Sequence, residues 1–262
     1  MKIYQVDSFA HRPFTGNPAA VCILEQAQDD AWMQGVALDM NLSETAFLLK
    51  VREGWNLRWF TPGAEVDLCG HATLASAHIL FAYGYETQDA TIRFHTLSGE
   101  LQVSKQKDWL CMDFPAEPAS KATAPTGMLE SLGCKAVFVG KNRMDYLIEV
   151  ESEEVLLKLD PDYRSLKTIP VRGIIVTCRA SEGKDYDFAS RFFGPAVDVD
   201  EDPVTGSAHC CLAPYWSEKL GQKKLLGYQA SARGGYVRTT VSGDRVLLEG
   251  QALTVLEGNL LV

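Results

Sequence analysis

The spacing of apolar positions changes period along the chain and marks out two similar halves. Residues 2–9 alternate apolar and polar as a half-buried strand does, and 19–24 form a short apolar run behind the breaker Gly16-Asn17-Pro18. Residues 29–39 put apolar side chains on one face behind Asp29 and Asp30, which predicts a helix. Strands are predicted at 44–51 and 57–60, separated by the turn signal Glu53-Gly54. Residues 74–83 are apolar on nearly every side and stop at Gly84, the pattern of a buried helix. Further strands are predicted at 90–95, 100–105 and 109–113.

Residues 115–125 are rich in Ala, Pro, Ser and Thr and read as a linker. This places one lobe at 1–115 and a second at 116–250. The pattern then restarts. A helix near 127–132 precedes strands at 136–139 and 145–150, a helix at 153–159, and strands at 173–179 and 187–193. Asp202-Pro203-Val204-Thr205-Gly206-Ser207-Ala208-His209 opens a second buried helix that runs to Leu220 and stops at Gly221. From Leu225 the chain reads as hairpins, with breakers at Gly234-Gly235 and Ser242-Gly243-Asp244. Gly70-His71-Ala72-Thr73 and Gly206-Ser207-Ala208-His209 lie about half the chain apart, each at the mouth of an apolar helix. This echo suggests a duplicated unit with the two helix N-termini aimed at a shared cleft.

Such mouths are places for chemistry, because a helix N-terminus offers unpaired N–H groups and a partial positive charge. A carboxylate or a developing oxyanion fits there, and Gly70 and Gly206 let backbone amides approach it. Taken alone, each motif reads more readily as an ordinary strand-to-helix turn. Glu44 is the candidate base. It sits among Leu42, Ala46, Phe47 and Leu48, where desolvation is expected to raise its pKa, unless it lies at an edge facing solvent. His71 is a candidate proton shuttle or a helix-start hydrogen-bonding residue, and Asp202 a catalyst or an N-cap. His78 and His209 read as core histidines. Cys69 precedes a helix, where a thiol pKa is expected to be depressed; the equivalent position of the second motif is Thr205.

Composition narrows the classes. Of 262 residues, 46% are hydrophobic and 23% charged, the balance of a globular chain. The formal net charge of −9 disfavours a nucleic-acid or anionic membrane partner. The nearest thing to a basic cluster, Lys219 with Lys223 and Lys224, reads as a solvated helix tip. No apolar run reaches the length of a membrane span, and the N-terminus runs straight into a strand pattern rather than a secretory signal. Seven cysteines, an odd number with no CxxC pair, fit a reducing cytoplasm better than a disulfide framework or a zinc site. There is no GxGxxG behind a strand, no GxxxxGK[ST], no GxSxG and no HExxH.

Five segments in order, Gly16-Asn17-Pro18-Ala19-Ala20-Val21, Leu42-Ser43-Glu44-Thr45-Ala46-Phe47, Arg58-Trp59-Phe60-Thr61-Pro62, Asp67-Leu68-Cys69-Gly70-His71-Ala72-Thr73-Leu74-Ala75 and Glu201-Asp202-Pro203-Val204-Thr205-Gly206-Ser207-Ala208-His209, resemble the PhzF (phenazine-biosynthesis-like) family. The resemblance implies an α/β fold of the diaminopimelate epimerase kind. Two pseudo-symmetric lobes would each wrap a curled, mostly antiparallel sheet around a central helix, with 251–262 able to complete the first. It also implies a homodimer and no metal or organic cofactor.

By the same resemblance Glu44 is the acid/base, with His71, Asp202 and Ser207 around the substrate. Gly70 and Gly206 with their neighbouring amides, Ala72 among them, would hold a substrate carboxylate. The expected activity is an isomerase moving a proton between carbons of a small carboxylated, cyclic or unsaturated metabolite. Related racemases use two thiols, whereas here Thr205 stands opposite Cys69, and a hydroxyl cannot replace a thiolate base. The alternatives are a single-thiol racemase or epimerase using Cys69, and a non-catalytic protein that binds small carboxylates.

Overall fold

Two helices in this chain are largely buried, and each packs against a sheet of its own. The computed structural model describes residues 1–261 and divides into two units: residues 1–113 with the segment from Glu249 onward, and Phe114–Leu248.

In the first unit the sheet runs through Ala252–Asn259, Lys2–Ser8, Asn17–Leu24, Glu44–Lys50, Trp55–Phe60, Thr91–Thr96 and Gly99–Gln106. Val262, the last residue of the expected 251–262 segment, lies outside the described residues. From Lys2–Ser8 onward the pairings are antiparallel, parallel, antiparallel, parallel and antiparallel. In the second unit the sheet runs through Phe138–Lys141, Asp145–Glu149, Gly173–Arg179, Phe188–Gly194, Lys224–Gln229 and Gly235–Ser242. The same succession of pairings recurs. Each unit also inserts a short antiparallel strand, Glu65–Val66 or Val199–Asp202, just before its central helix. The two units are therefore built to one plan, in keeping with the mixed α/β, epimerase-like architecture.

The central helices are Gly70–Ala82 and Gly206–Leu220. In the first, ten residues from His71 to Phe81 are buried, and its two buried hydroxyls are satisfied locally. The Thr73 hydroxyl donates to the Cys69 carbonyl at 2.6 Å, and the Ser76 hydroxyl to the Ala72 carbonyl at 2.7 Å. These back-bonds remove the cost of burying a hydroxyl without a partner. The second helix contains Pro214, which cannot donate to the Cys210 carbonyl one turn earlier. That carbonyl instead accepts the Glu117 N–H at 3.0 Å. The Trp216 indole donates to Thr177 Oγ1 at 3.0 Å, which anchors the far end of the helix.

Several predicted boundaries move. The first strand stops at Ser8, because Phe9 turns out of the extended region with φ +58°. The first central helix starts at Gly70 rather than 74, since its opening turn, Gly-His-Ala-Thr, lacks the apolar signal of the rest. Residues 115–125 are not a bare linker: Ser120–Lys121 pairs with Gly140 and Lys141. Strand Phe138–Lys141 sits two residues beyond its expected start. The expected helix at 153–159 is the single turn Glu153–Leu157, and Val199–Asp202 is a strand the pattern did not show. Lys219 is not a free solvated tip, for its ammonium meets the Glu149 carboxylate at 2.5 Å. No helix among the described residues is long and apolar enough to cross a membrane.

Gly16 shows how tightly the first unit is closed near its central helix. Its φ is +72°, and a Cβ there would lie 2.1 Å from the Ser8 carbonyl oxygen. Gly16→Ala is expected to destabilise the protein by about 1–3 kcal/mol through the left-handed backbone and the clash. The urea midpoint at unchanged slope reads this directly, and an unaltered midpoint would show that the turn relaxes freely.

Candidate active site

Three residues from two elements meet at the mouth of the first central helix. Glu44 opens strand Glu44–Lys50, whose parallel pairing sets it opposite Ala19. Cys69 is the residue before the helix, and His71 is its second residue. The Ser8 hydroxyl donates to the His71 carbonyl at 2.7 Å, tying the end of the first strand to the same turn.

The His71 Nε2 to Glu44 Oε2 distance is 3.0 Å, with both side chains largely out of solvent. The carboxylate oxygen lies off the N–H axis, so the contact is an ion pair rather than a well-formed hydrogen bond. On the other side of the ring, Cys69 Sγ lies 3.5 Å from His71 Nδ1.

The electrostatics reverse two expectations. Burial alone would raise the Glu44 pKa, but the charge and proton of His71 and the Cys69 thiol outweigh it, and the carboxyl is held below its ordinary range. The raised value expected for Glu44 is therefore corrected: strand alternation showed its apolar neighbours and not the imidazole that arrives from residue 71. Burial pushes His71 down, yet the negative groups at Cys69 and Glu44 hold it well above its ordinary value. The Cys69 thiol is pushed up, first by burial and then by the Glu44 charge, which corrects the expected depression at a helix start. Cys69 and Glu44 together keep the proton on His71.

The ligand atoms of Glu44, Cys69 and His71 lie within 4.8 Å of one another, a size and donor set that one divalent metal can span. A metal needs the thiol and the imidazole deprotonated. In the ion-free site both pKa values are raised, so a bound ion would have to displace both protons.

In the second unit Asp202 ends its strand, and its Oδ2 accepts from the Thr205 hydroxyl at 2.5 Å. The N-cap of the helix is Thr205, so Asp202 does not take the cap role considered for it. The Gln229 side chain ties this turn together, accepting from the Thr205 N–H at 2.9 Å and donating to the Asp202 carbonyl at 2.7 Å. Gly206 and Ser207 are the first two helical residues, and Ser207 Oγ accepts from the Arg172 guanidinium. Neither Cys69 nor Thr205 closes a side-chain capping bond, so the first-turn amides of both helices lack the usual side-chain acceptor.

His209 behaves as a core histidine, whereas His78 is half-buried and lines a cavity with Phe81, Lys105 and Leu253. His78 Nε2 meets Thr254 Oγ1 at 3.0 Å, and His209 Nδ1 meets the Thr205 carbonyl at 2.9 Å. Burial brings each down to about 4. Arg172, Asp145 and Gln229 were missed from sequence, since each lies far along the chain from the helix-mouth motif.

The model of the phenazine biosynthesis-like protein family matches residues 6–258. The chain belongs to this family. It is 54% identical to a protein from Halalkalibacterium halodurans named an uncharacterized isomerase, covering 99% of this chain and 98% of the relative. A crystal structure of a phenazine biosynthesis protein of the PhzF family from Enterococcus faecalis superposes with TM-score 0.93 at 41% identity, over 98% and 97% of the two chains. A hydroxyproline epimerase from Agrobacterium vitis shares the fold alone, with TM-score 0.64 at 11% identity over 98% and 91%. In the phenazine biosynthesis-like family, then, this chain carries its own Glu44–His71 pair beside Cys69 at the mouth of a buried helix.

The pair makes a spectroscopic prediction. In the wild-type protein the His71 ring is expected to stay protonated above its ordinary value of 6.5. In Glu44→Gln one of the two groups that hold the proton is gone, and the ring should titrate below its wild-type value. Nitrogen-detected NMR of the imidazole checks both values, and an unmoved titration would mean that Glu44 is not the controlling charge.

Proposed function

We propose that the protein is an isomerase that moves a proton between carbons of a small carboxylate-bearing, cyclic or unsaturated metabolite, with Glu44 as the general acid/base. The observation that carries this reading is the buried Glu44–His71 ion pair at 3.0 Å. A depressed carboxyl pKa means that Glu44 is ionised near neutral pH and ready to accept a proton. The protonated His71 beside it, together with the amides of Gly70 and Ala72 at the helix start, faces the negative charge that grows as a C–H bond breaks. A single carboxylate suffices if it removes a proton, exchanges it with solvent, and delivers a proton to another carbon on the same face.

In the second unit the mouth at Gly206 and Ser207 is the proposed seat of a carboxylate, with Asp202 as a polar neighbour. The family's isomerase names and the epimerase-like fold support the reaction class. Action without a metal or organic cofactor, assembly as a homodimer and a cytoplasmic setting belong to the same proposal.

The test follows solvent deuterium into a panel of small carboxylates by NMR, with Glu44→Gln as control. Wild type is expected to label a carbon position, and the variant to turn over about 10²–10⁴-fold more slowly. No labelling across the panel by protein that still binds its members would favour a binding protein. Cys69→Ser is expected to keep near-wild-type turnover; a severe loss would favour the single-thiol racemase instead.

The pH profile has a definite sign. The reactive carboxylate is lost as pH falls through the Glu44 pKa, below its ordinary 4.5. The imidazolium is lost as pH rises through the His71 pKa, above its ordinary 6.5. Activity should therefore form a plateau between those limits, and His71→Asn should abolish the alkaline limb and move the acid limb upward. A profile centred on a thiol titration would contradict the assignment.

A further inference from the structure

We propose that Arg172 commits Ser207 to donating its hydroxyl hydrogen, so that the mouth of the helix Gly206–Leu220 selects an anionic oxygen on the ligand and rejects an ammonium group. This rests on the reading of Ser207 as a ligand contact. A serine hydroxyl has one hydrogen to give and two lone pairs to offer, while a guanidinium can only donate. Arg172 Nη1 and Nη2 both reach Ser207 Oγ at 3.1 Å. The oxygen is thus occupied as an acceptor, and its hydrogen is turned away from the cation. Among the described residues no acceptor takes that hydrogen.

The guanidinium is not free to swing aside. Its Nε and Nη2 hold both oxygens of Asp145, at 2.9 Å and 2.5 Å, and Asp145 is 0% exposed. The Phe192 ring lies 5.5 Å from the guanidinium carbon. Asp145 is itself placed by a local turn, in which Asn142 Oδ1 accepts the N–H groups of Met144 and Asp145. Gly173 keeps this arrangement open: a Cβ there would lie 2.1 Å from the Phe192 ring and 3.0 Å from Asp145 Oδ1.

If Arg172 served only to neutralise Asp145, the fork facing that carboxylate would be enough. The guanidinium instead turns a further edge to Ser207, and the side chain keeps 35% of its surface exposed. A fixed cation, an outward hydroxyl hydrogen and the positive end of a helix then act together on whatever meets Ser207. A carboxylate gains from all three, and an ammonium is opposed by all three. Arg172 is a positioning residue, acting through Ser207.

The test uses the full-length protein and pairs of probes of one shape and opposite charge: benzoate with benzylamine, and cyclohexanecarboxylate with cyclohexylmethylamine. Binding is read by calorimetry and by chemical-shift changes at the Ser207 amide. Wild type is expected to bind the acids at least about tenfold more tightly than the amines, a difference of about 1.4 kcal/mol. Ser207→Ala and the charge-balanced Arg172→Met/Asp145→Asn protein should lose that preference, and Arg172→Lys should recover part of it. The double substitution avoids leaving Asp145 buried and unpaired, which would threaten the fold.

Equal binding of acids and amines by wild type, no acid binding at all, or an intact preference in the double variant would each overturn the proposal. Glu44→Gln separates it from the catalytic reading, since that variant should keep the acid preference while losing deuterium exchange. Retained exchange with an intact acid preference would remove the role of Glu44 alone.

Discussion

The chemistry at the first helix mouth depends on one constraint: a carboxylate and an imidazole share a space where neither is stable as an ion by itself. Bringing an ionic group out of water costs several kcal/mol. At 3.0 Å the attraction between the two charges is on the order of 5 kcal/mol at an effective dielectric of about 20, so the two effects are comparable. The outcome is visible in both directions at once, because burial pushes Glu44 up and His71 down while the pair ends with Glu44 lowered and His71 raised. Such a balance needs fixed geometry. The Ser8 bond to the His71 carbonyl, the tight turn at Gly16 and the enclosed helix Gly70–Ala82 provide it.

That constraint also explains which parts of the site were legible in the sequence. The strand carrying Glu44 and both apolar helices follow from hydrophobic period, which is a local property of the chain. The motif residues at positions 44, 69, 71, 202, 206 and 207 were identifiable from their own segments. Their ionisation was not. Glu44 looked like a desolvated carboxyl because Leu42, Ala46, Phe47 and Leu48 are its apolar neighbours in the segment, and its decisive partner lies 27 residues away by chain and 3.0 Å away in space. Cys69 was misjudged in the same manner, since the positive end of a helix is local knowledge and the opposing burial and Glu44 charge are not. Arg172 gave no signal, because an arginine before a β-branched strand is commonplace and its role appears only when Gly206–Leu220 is packed beside it.

The two units show how one scaffold carries different equipment. Their strand pairings follow the same succession, and each central helix is introduced by a short extra strand. Within the helices the fourth residue performs the same structural task with different chemistry: Thr73 donates to the Cys69 carbonyl, and the His209 ring bonds the Thr205 carbonyl. Both groups are thereby absorbed into the helix. This accounts for His209 being a core histidine although it lies within the motif.

The first two helical residues and the residue before them are where the units diverge. The first mouth carries Cys69, Gly70 and His71, with Glu44 alongside, and its thiol, imidazole and carboxyl are all groups that can gain or lose a proton. The second carries Thr205, Gly206 and Ser207, with Arg172 alongside, and neither hydroxyl nor the guanidinium changes charge near neutral pH. A duplicated fold therefore need not duplicate its chemistry. A glycine opens each helix, and the side chains that flank it differ between the two units. In this architecture the route to a new activity runs through the helix mouths and through residues such as Arg172 that orient them from outside.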